Sequence, residues 1–212
     1  MRPPRHGSGS LCGMTTEDST YRLPVGERVA LRADGYTTWD IFPFDGQDIR
    51  ARALEQPVVP EPDRHGEAGA DSCDLCSRPD ADFLWTDEHW RLSGTERPPG
   101  LPAVVLLFPR GHHDLGDLPA ERAAEIGPML QRVERAVMSL GGISRVHVAK
   151  WGDGAAHLHL WLLARPEGMM QFRGVSLPVW DNVLPRVDTG TWREANRRIA
   201  AVMAAEGGSA QV

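Results

Sequence analysis

The sequence predicts an α+β domain flanked by extensions at both ends. Short alternating or continuous apolar runs mark strands at 83–86, 90–92, 103–108, 145–151 and 157–163. Ile126, Met129, Leu130, Val133, Val137 and Leu140 recur at i, i+3, i+4 and i+7, the spacing of one buried helix face. The order hairpin, strand, long helix, strand, strand, helix lacks the regular strand–helix alternation of a doubly wound sheet.

Each element has a local reason. Asp87-Glu88 separates two aromatic-rich runs and predicts a hairpin turn. The run at 103–108 is apolar throughout, as a buried strand would be, and Pro109-Arg110-Gly111 ends it. Asp117 is expected to cap the long helix, with Pro119 in its first turn. Gly127-Pro128 is expected to kink that helix, because proline lacks a donor, and Gly141-Gly142 to stop it. Gly152-Asp153-Gly154 turns the chain between the last two strands. Residues 167–185 read as irregular. A final helix is expected from Thr191-Trp192-Arg193-Glu194, a capping-box pattern, with Trp192, Ala195, Ile199 and Val202 on its apolar side.

The flanks carry weaker signals. Residues 1–20 have no period and are expected to be disordered. Met14 is a second candidate start, which an intact mass of the native protein would decide. Residues 21–72 form an N-terminal extension, with a short aromatic strand at 36–44 and a Pro/Gly-rich linker at 57–72. The compact part is expected over 73–166. A C-terminal extension follows at 167–206, then a disordered tail at 207–212.

The 212 residues suffice for one domain with a core. No apolar run approaches the roughly 20 residues of a membrane span, and no signal-peptide stretch opens the chain, so a cytoplasmic protein is expected. The net charge of −6 and the lack of a basic stripe argue against duplex nucleic acid as a partner. Three cysteines in a cytosolic chain argue against a disulfide framework, leaving metal or thiol chemistry for Cys73 and Cys76. Cys12 stands alone.

The chemistry concentrates in His157-Leu158-His159-Leu160-Trp161-Leu162-Leu163. Read as a strand, it places His157, His159 and Trp161 on one face. The two histidines then lie roughly 6–7 Å apart, at about 3.3 Å per residue. They can share a site and do different jobs. Cys73-x-x-Cys76 and His112-His113 add further metal-ligand types. A redox pair and half a zinc ribbon are the alternatives for the cysteines; a pair of satisfied core histidines is the alternative for His157 and His159.

The segment from Cys73 to about Pro166 resembles the histidine triad superfamily of nucleotidyl hydrolases and transferases. Four features carry the resemblance in order: Cys73-Asp74-Leu75-Cys76, Phe108-Pro109-Arg110-Gly111-His112, the long helix, and His157-Leu158-His159-Leu160-Trp161-Leu162-Leu163. The resemblance implies an antiparallel sheet with the long helix packed across it, and a homodimer. It implies a structural zinc held by Cys73, Cys76, His112 and His157, with His113 the rival to His112. It makes His159 the nucleophile toward the α-phosphorus of a nucleotide ester, anhydride or phosphoramidate, through a covalent nucleotidyl-histidine. The small-molecule partner is then a nucleotide. Gly152 and Gly154 are expected to offer backbone N–H groups to phosphate, and Lys150 a cation.

The sequence also departs from the family pattern. Trp161 stands where a third histidine or a glutamine is usual. Indole has one donor and no acceptor, so Trp161 either contacts substrate or fills the pocket. Asp153, Gly154, Ala155 and Ala156 replace a polar run. Two further readings follow: a catalytically degenerate nucleotide- or partner-binding protein, and a hydrolase with a catalytic zinc on His157 and His159.

Overall fold

A computed structural model of the chain describes residues 28–30, 43, 48–50 and 57–212. The expectations for residues 1–20, Cys12 and Met14 lie outside the described residues. So does the strand read at 36–44, apart from Pro43, which sits in a bend.

Two short N-terminal strands, β1 (Arg28–Ala30) and β2 (Asp48–Arg50), pair antiparallel with Val29 opposite Ile49. The main sheet has six strands: β3 (Trp85–Thr86), β4 (Trp90–Gly94), β5 (Val104–Pro109), β6 (Ile143–Ala149), β7 (Leu160–Pro166) and β8 (Ser209–Ala210). Their spatial order is β6-β7-β5-β4-β3-β8, and every neighbour is antiparallel. The hairpin forms at Asp87, whose Oδ1 accepts the N–H groups of His89 and Trp90.

Among the described residues, four α-helices accompany the strands: α1 (Asp74–Ser77), α2 (Ala120–Met138), α3 (Leu177–Val183) and α4 (Thr189–Ala205). The periodic stripe of α2 packs on the sheet, with Met129, Val133, Ala136 and Val137 buried. They meet Leu158, Leu160, Leu162 and Ala164 from β7 and its lead-in, together with Ile199, Ala200 and Met203 of α4. The opposite face of the sheet carries Val104 and Leu163. Leu101, Phe172 and Leu177 cover them, and Trp161, Trp180 and Leu184 pack alongside. The period-2 alternation therefore feeds two cores.

Several boundaries differ from expectation. β6 begins at Ile143 and ends at Ala149, two residues earlier at each end than its sequence limits. Asp117 does not cap α2. It closes a capping box with Asp114 around a 3-10 turn at Leu115–Asp117, and Pro119 takes the cap position. α2 runs through Pro128 as one element. α4 starts at Thr189, because Asp188 Oδ1 accepts from Gly190 N and Thr191 N and wins the cap from Thr191. Glu194 pairs with Arg197 instead. The buried side of α4 is Asn196, Ile199, Ala200 and Met203, so only Ile199 of the expected stripe is fully buried. The stretch read as irregular contains α3, with Pro178 in its first turn.

Strand β8 lies within the stretch read as a tail. Ser209 and Ala210 pair with Thr86 and Trp85, and Gln211 N donates to Leu84 O. Gly208 makes this possible. Its φ is +70°, and a Cβ there would lie 2.6 Å from Thr86 O and from the Trp85 ring. Gly208→Ala is expected to cost about 1–3 kcal/mol, read as a lowered melting temperature. An unchanged melting curve would contradict this packing.

Candidate metal and active site

Three segments far apart in the chain converge at the N-terminal end of β7. Cys73 stands at the cap of α1 and Cys76 lies within it, His112 follows β5, and His157 precedes β7. Their donor atoms all lie within 4.8 Å of one another. Cys73 Sγ is 3.4 Å from His157 Nδ1. Cys76 Sγ is 3.4 Å from His112 Nδ1 and 3.5 Å from His157 Nδ1. A tetrahedral zinc with bonds of about 2.3 Å to sulfur and 2.0–2.1 Å to nitrogen would set S···N edges of about 3.6 Å. The residues fit such an ion in chemistry and spacing.

The surroundings suit ligation. His157 is 1% exposed, and its Nε2 lies 2.9 Å from Pro109 O, which fixes the ring with Nδ1 toward the thiols. Burial holds the His157 imidazole below its ordinary range, while the Pro109 carbonyl pulls the other way. Burial also pushes the Cys76 thiol up to about 11, with Cys73 adding to the effect. Arg91 anchors the cysteine helix, donating to Leu75 O at 2.9 Å and to Asp80 Oδ1 at 3.0 Å. Arg110 grips both oxygens of Asp80 at 2.8 Å.

His157, Leu158 and His159 are not themselves strand residues; β7 starts at Leu160. Leu107 opposite Leu160 is the last β5–β7 ladder pair. Before it, Leu158 N donates to His113 O and the His157 ring holds Pro109 O. The side chains still alternate. Leu158 and Leu160 enter the core beneath α2, while His159 and Trp161 share the other side.

His159 stands outside the four-residue cluster. Its Nδ1 lies 2.8 Å from His157 O, so Nδ1 carries the proton and donates. In the neutral ring this arrangement puts the lone pair on Nε2. The His159 and Trp161 rings meet edge-on at 6.4 Å, and Trp151 lies 5.8 Å beyond Trp161.

The upstream segment closes over this arrangement. His65 N donates to Gly154 O, and Ala156 N donates to His65 O. Gly66, at φ +79°, is so close that a Cβ would lie 3.1 Å from Cys73 Cβ and 3.2 Å from His112 Cε1. Arg64 donates to Asp114 Oδ2 at 2.8 Å and to Gly152 O at 3.0 Å. Lys150 Nζ is 3.2 Å from Asp114 Oδ1, so its charge is already engaged. The N–H groups of Gly152 and Gly154 make no hydrogen bond among the described residues.

Burial opposes the charged form of Asp114, but hydrogen bonds from Arg64, Leu115 N and Lys150 outweigh it and hold the carboxyl at about 2. A depressed carboxylate contributes stability above its unfolded value of about 3.9 and loses it as pH falls toward the folded value. The Arg64–Asp114–Lys150 clamp is therefore expected to persist to about pH 4 and open between about 4 and 2. Asp114→Asn should remove that component of the acid-unfolding curve.

No family model and no curated protein matches this chain. Solved structures do. A zinc-bound histidine triad family protein from Mycobacterium smegmatis aligns at 24% identity and TM-score 0.48, over 65% of this chain and 97% of that one. A histidine triad protein from Bradyrhizobium japonicum aligns at 18% identity and TM-score 0.48, over 57% and 89%. A uridylyltransferase aligns at 17% identity and TM-score 0.45, over 62% of this chain and 44% of its own.

Of the residues singled out in the sequence, Cys73, Cys76, His112 and His157 come together. His159 and Trp161 lie beside them, and His113 contributes a backbone carbonyl instead. Trp151 is 43% exposed. Arg64, Asp80, Arg91, Arg110 and Asp114 were not marked. Their partners are mostly distant in sequence, so no local pattern announces them.

Proposed function

We propose that this chain is a nucleotidyl hydrolase or transferase that works through a covalent intermediate on His159, with a structural zinc. The observation that carries the reading is the contact of His159 Nδ1 with His157 O at 2.8 Å, which orients the ring and leaves Nε2 with no hydrogen-bond partner among the described residues. His159 Nε2 forms a bond to the α-phosphorus, and the bond from phosphorus to the leaving group breaks, its electron pair departing with that group. The Nδ1–H···O bond offsets the positive charge that develops on the ring. Water or another acceptor then bonds to phosphorus as the Nε2–P bond breaks, and its proton passes to solvent.

Cys73, Cys76, His112 and His157 would hold the zinc. Four protein ligands complete a tetrahedral shell, so the ion would brace the loop that aims His159 and leave no open position. That arrangement counts against a catalytic metal on His157 and His159. In this reading the N–H groups of Gly152 and Gly154 would receive phosphate oxygens, and Trp161 would contact substrate. Lys150 would act through Asp114. A homodimer is part of this reading; gel filtration giving only monomer would count against it.

The test is an intact mass of protein quenched during turnover of a nucleoside phosphoramidate. An added nucleotidyl mass on His159 is expected; turnover with no adduct would count against the mechanism. A second reading, nucleotide binding without catalysis, is favoured by Trp161, which supplies a donor but no acceptor. It predicts a ligand that raises the melting temperature and is recovered unchanged.

A further inference from the structure

Trp151 is a large apolar side chain left 43% exposed two residues after the end of β6. Its neighbours in sequence are pinned. Lys150 is bound to Asp114, and Gly152 O accepts from Arg64. The indole is therefore presented from a fixed frame. Behind it lies Trp161 at 5.8 Å, tilted by 58°, and beyond Trp161 lies His159 at 6.4 Å. Trp161 Nε1 is buried and has no acceptor among the described residues. The three rings make a wall of successive tilted contacts that starts at His159 and ends at the exposed Trp151.

We propose that this wall selects substrates carrying a flat aromatic ring close to the phosphoryl group, with Trp151 the stacking surface. This rests on the covalent reading for the identity of the phosphoryl group, and the wall itself is testable apart from it. Stacking on an exposed, preorganised indole needs no further ordering of the protein, so its effect falls on affinity. The ring can belong to the leaving group or to the nucleobase; both present the same π face.

The experiment uses the full chain carrying His159→Ala, so that ligands stay intact, and measures Kd by calorimetry. The probes are the phenyl and ethyl esters of adenosine 5′-phosphate, and the same two esters of ribose 5-phosphate. In the Trp151 protein, the phenyl ester of each pair is expected to bind about tenfold more tightly than the ethyl ester. Trp151→Ala should bring that ratio near one, and Trp151→Phe should restore most of it. A ring on the nucleobase would show instead as a Trp151-dependent preference for the base-bearing member over the base-free one. If neither ratio depends on Trp151, or none of the probes binds, the wall is overturned. The covalent reading fails separately: a protein with His159 intact that keeps these preferences yet forms no adduct and turns nothing over retains the wall and loses the chemistry.

Discussion

If His159 is the nucleophile as proposed, His159→Ala is expected to abolish nucleotidyl transfer, lowering kcat by roughly 10⁴-fold or more. The fold should be untouched. His159 is only partly buried, and its ring nitrogen holds a single carbonyl next to it in the chain. A mutant with wild-type melting temperature and no turnover would match this expectation. Wild-type activity would sink it. His159→Gln tests the same point with a side chain that can hydrogen-bond but cannot carry the phosphoryl group.

Cys73→Ala is expected to give the largest loss of stability. Cys73 is 3% exposed and belongs to the four-residue cluster. Removing it should strip zinc from the purified protein and cost about 3 kcal/mol or more, about 6–12 °C in Tm for a chain of this size. The sign of the pH effect follows. The Cys76 thiol sits at about 11 without metal, so binding must displace its proton, and zinc affinity should fall as pH is lowered. Metal analysis of the mutant is decisive, since full zinc content would place the ion elsewhere, on His157 and His159.

The contrast between these two mutants shows how much the sequence disclosed. The helical stripe from Ile126 to Leu140 was legible because burial on one face leaves a period in the chain. The ligand-type residues were legible because few other roles call for two cysteines and paired histidines. Helix starts were less so. Asp188 and Thr191 both qualify as caps, and only the fold decides between them. The histidines read as strand residues since alternation survives where the ladder has already stopped. Helix α3 is too short to show a period. The Gly66 segment looked like a linker, because its partners at Cys73, His112 and Gly154 are recognisable only once folded.

Cys76 and His157 are 81 positions apart, and Cys76 and His112 are 36 apart. An ion gripped by all of them would cross-link the chain at three points. Closing a loop of that length removes about 4–5 kcal/mol of conformational freedom from the unfolded chain, on the relation used for disulfides. The cluster would then act less on the native state than on its competitor. This would be a staple that a chelator can open and an ion can close.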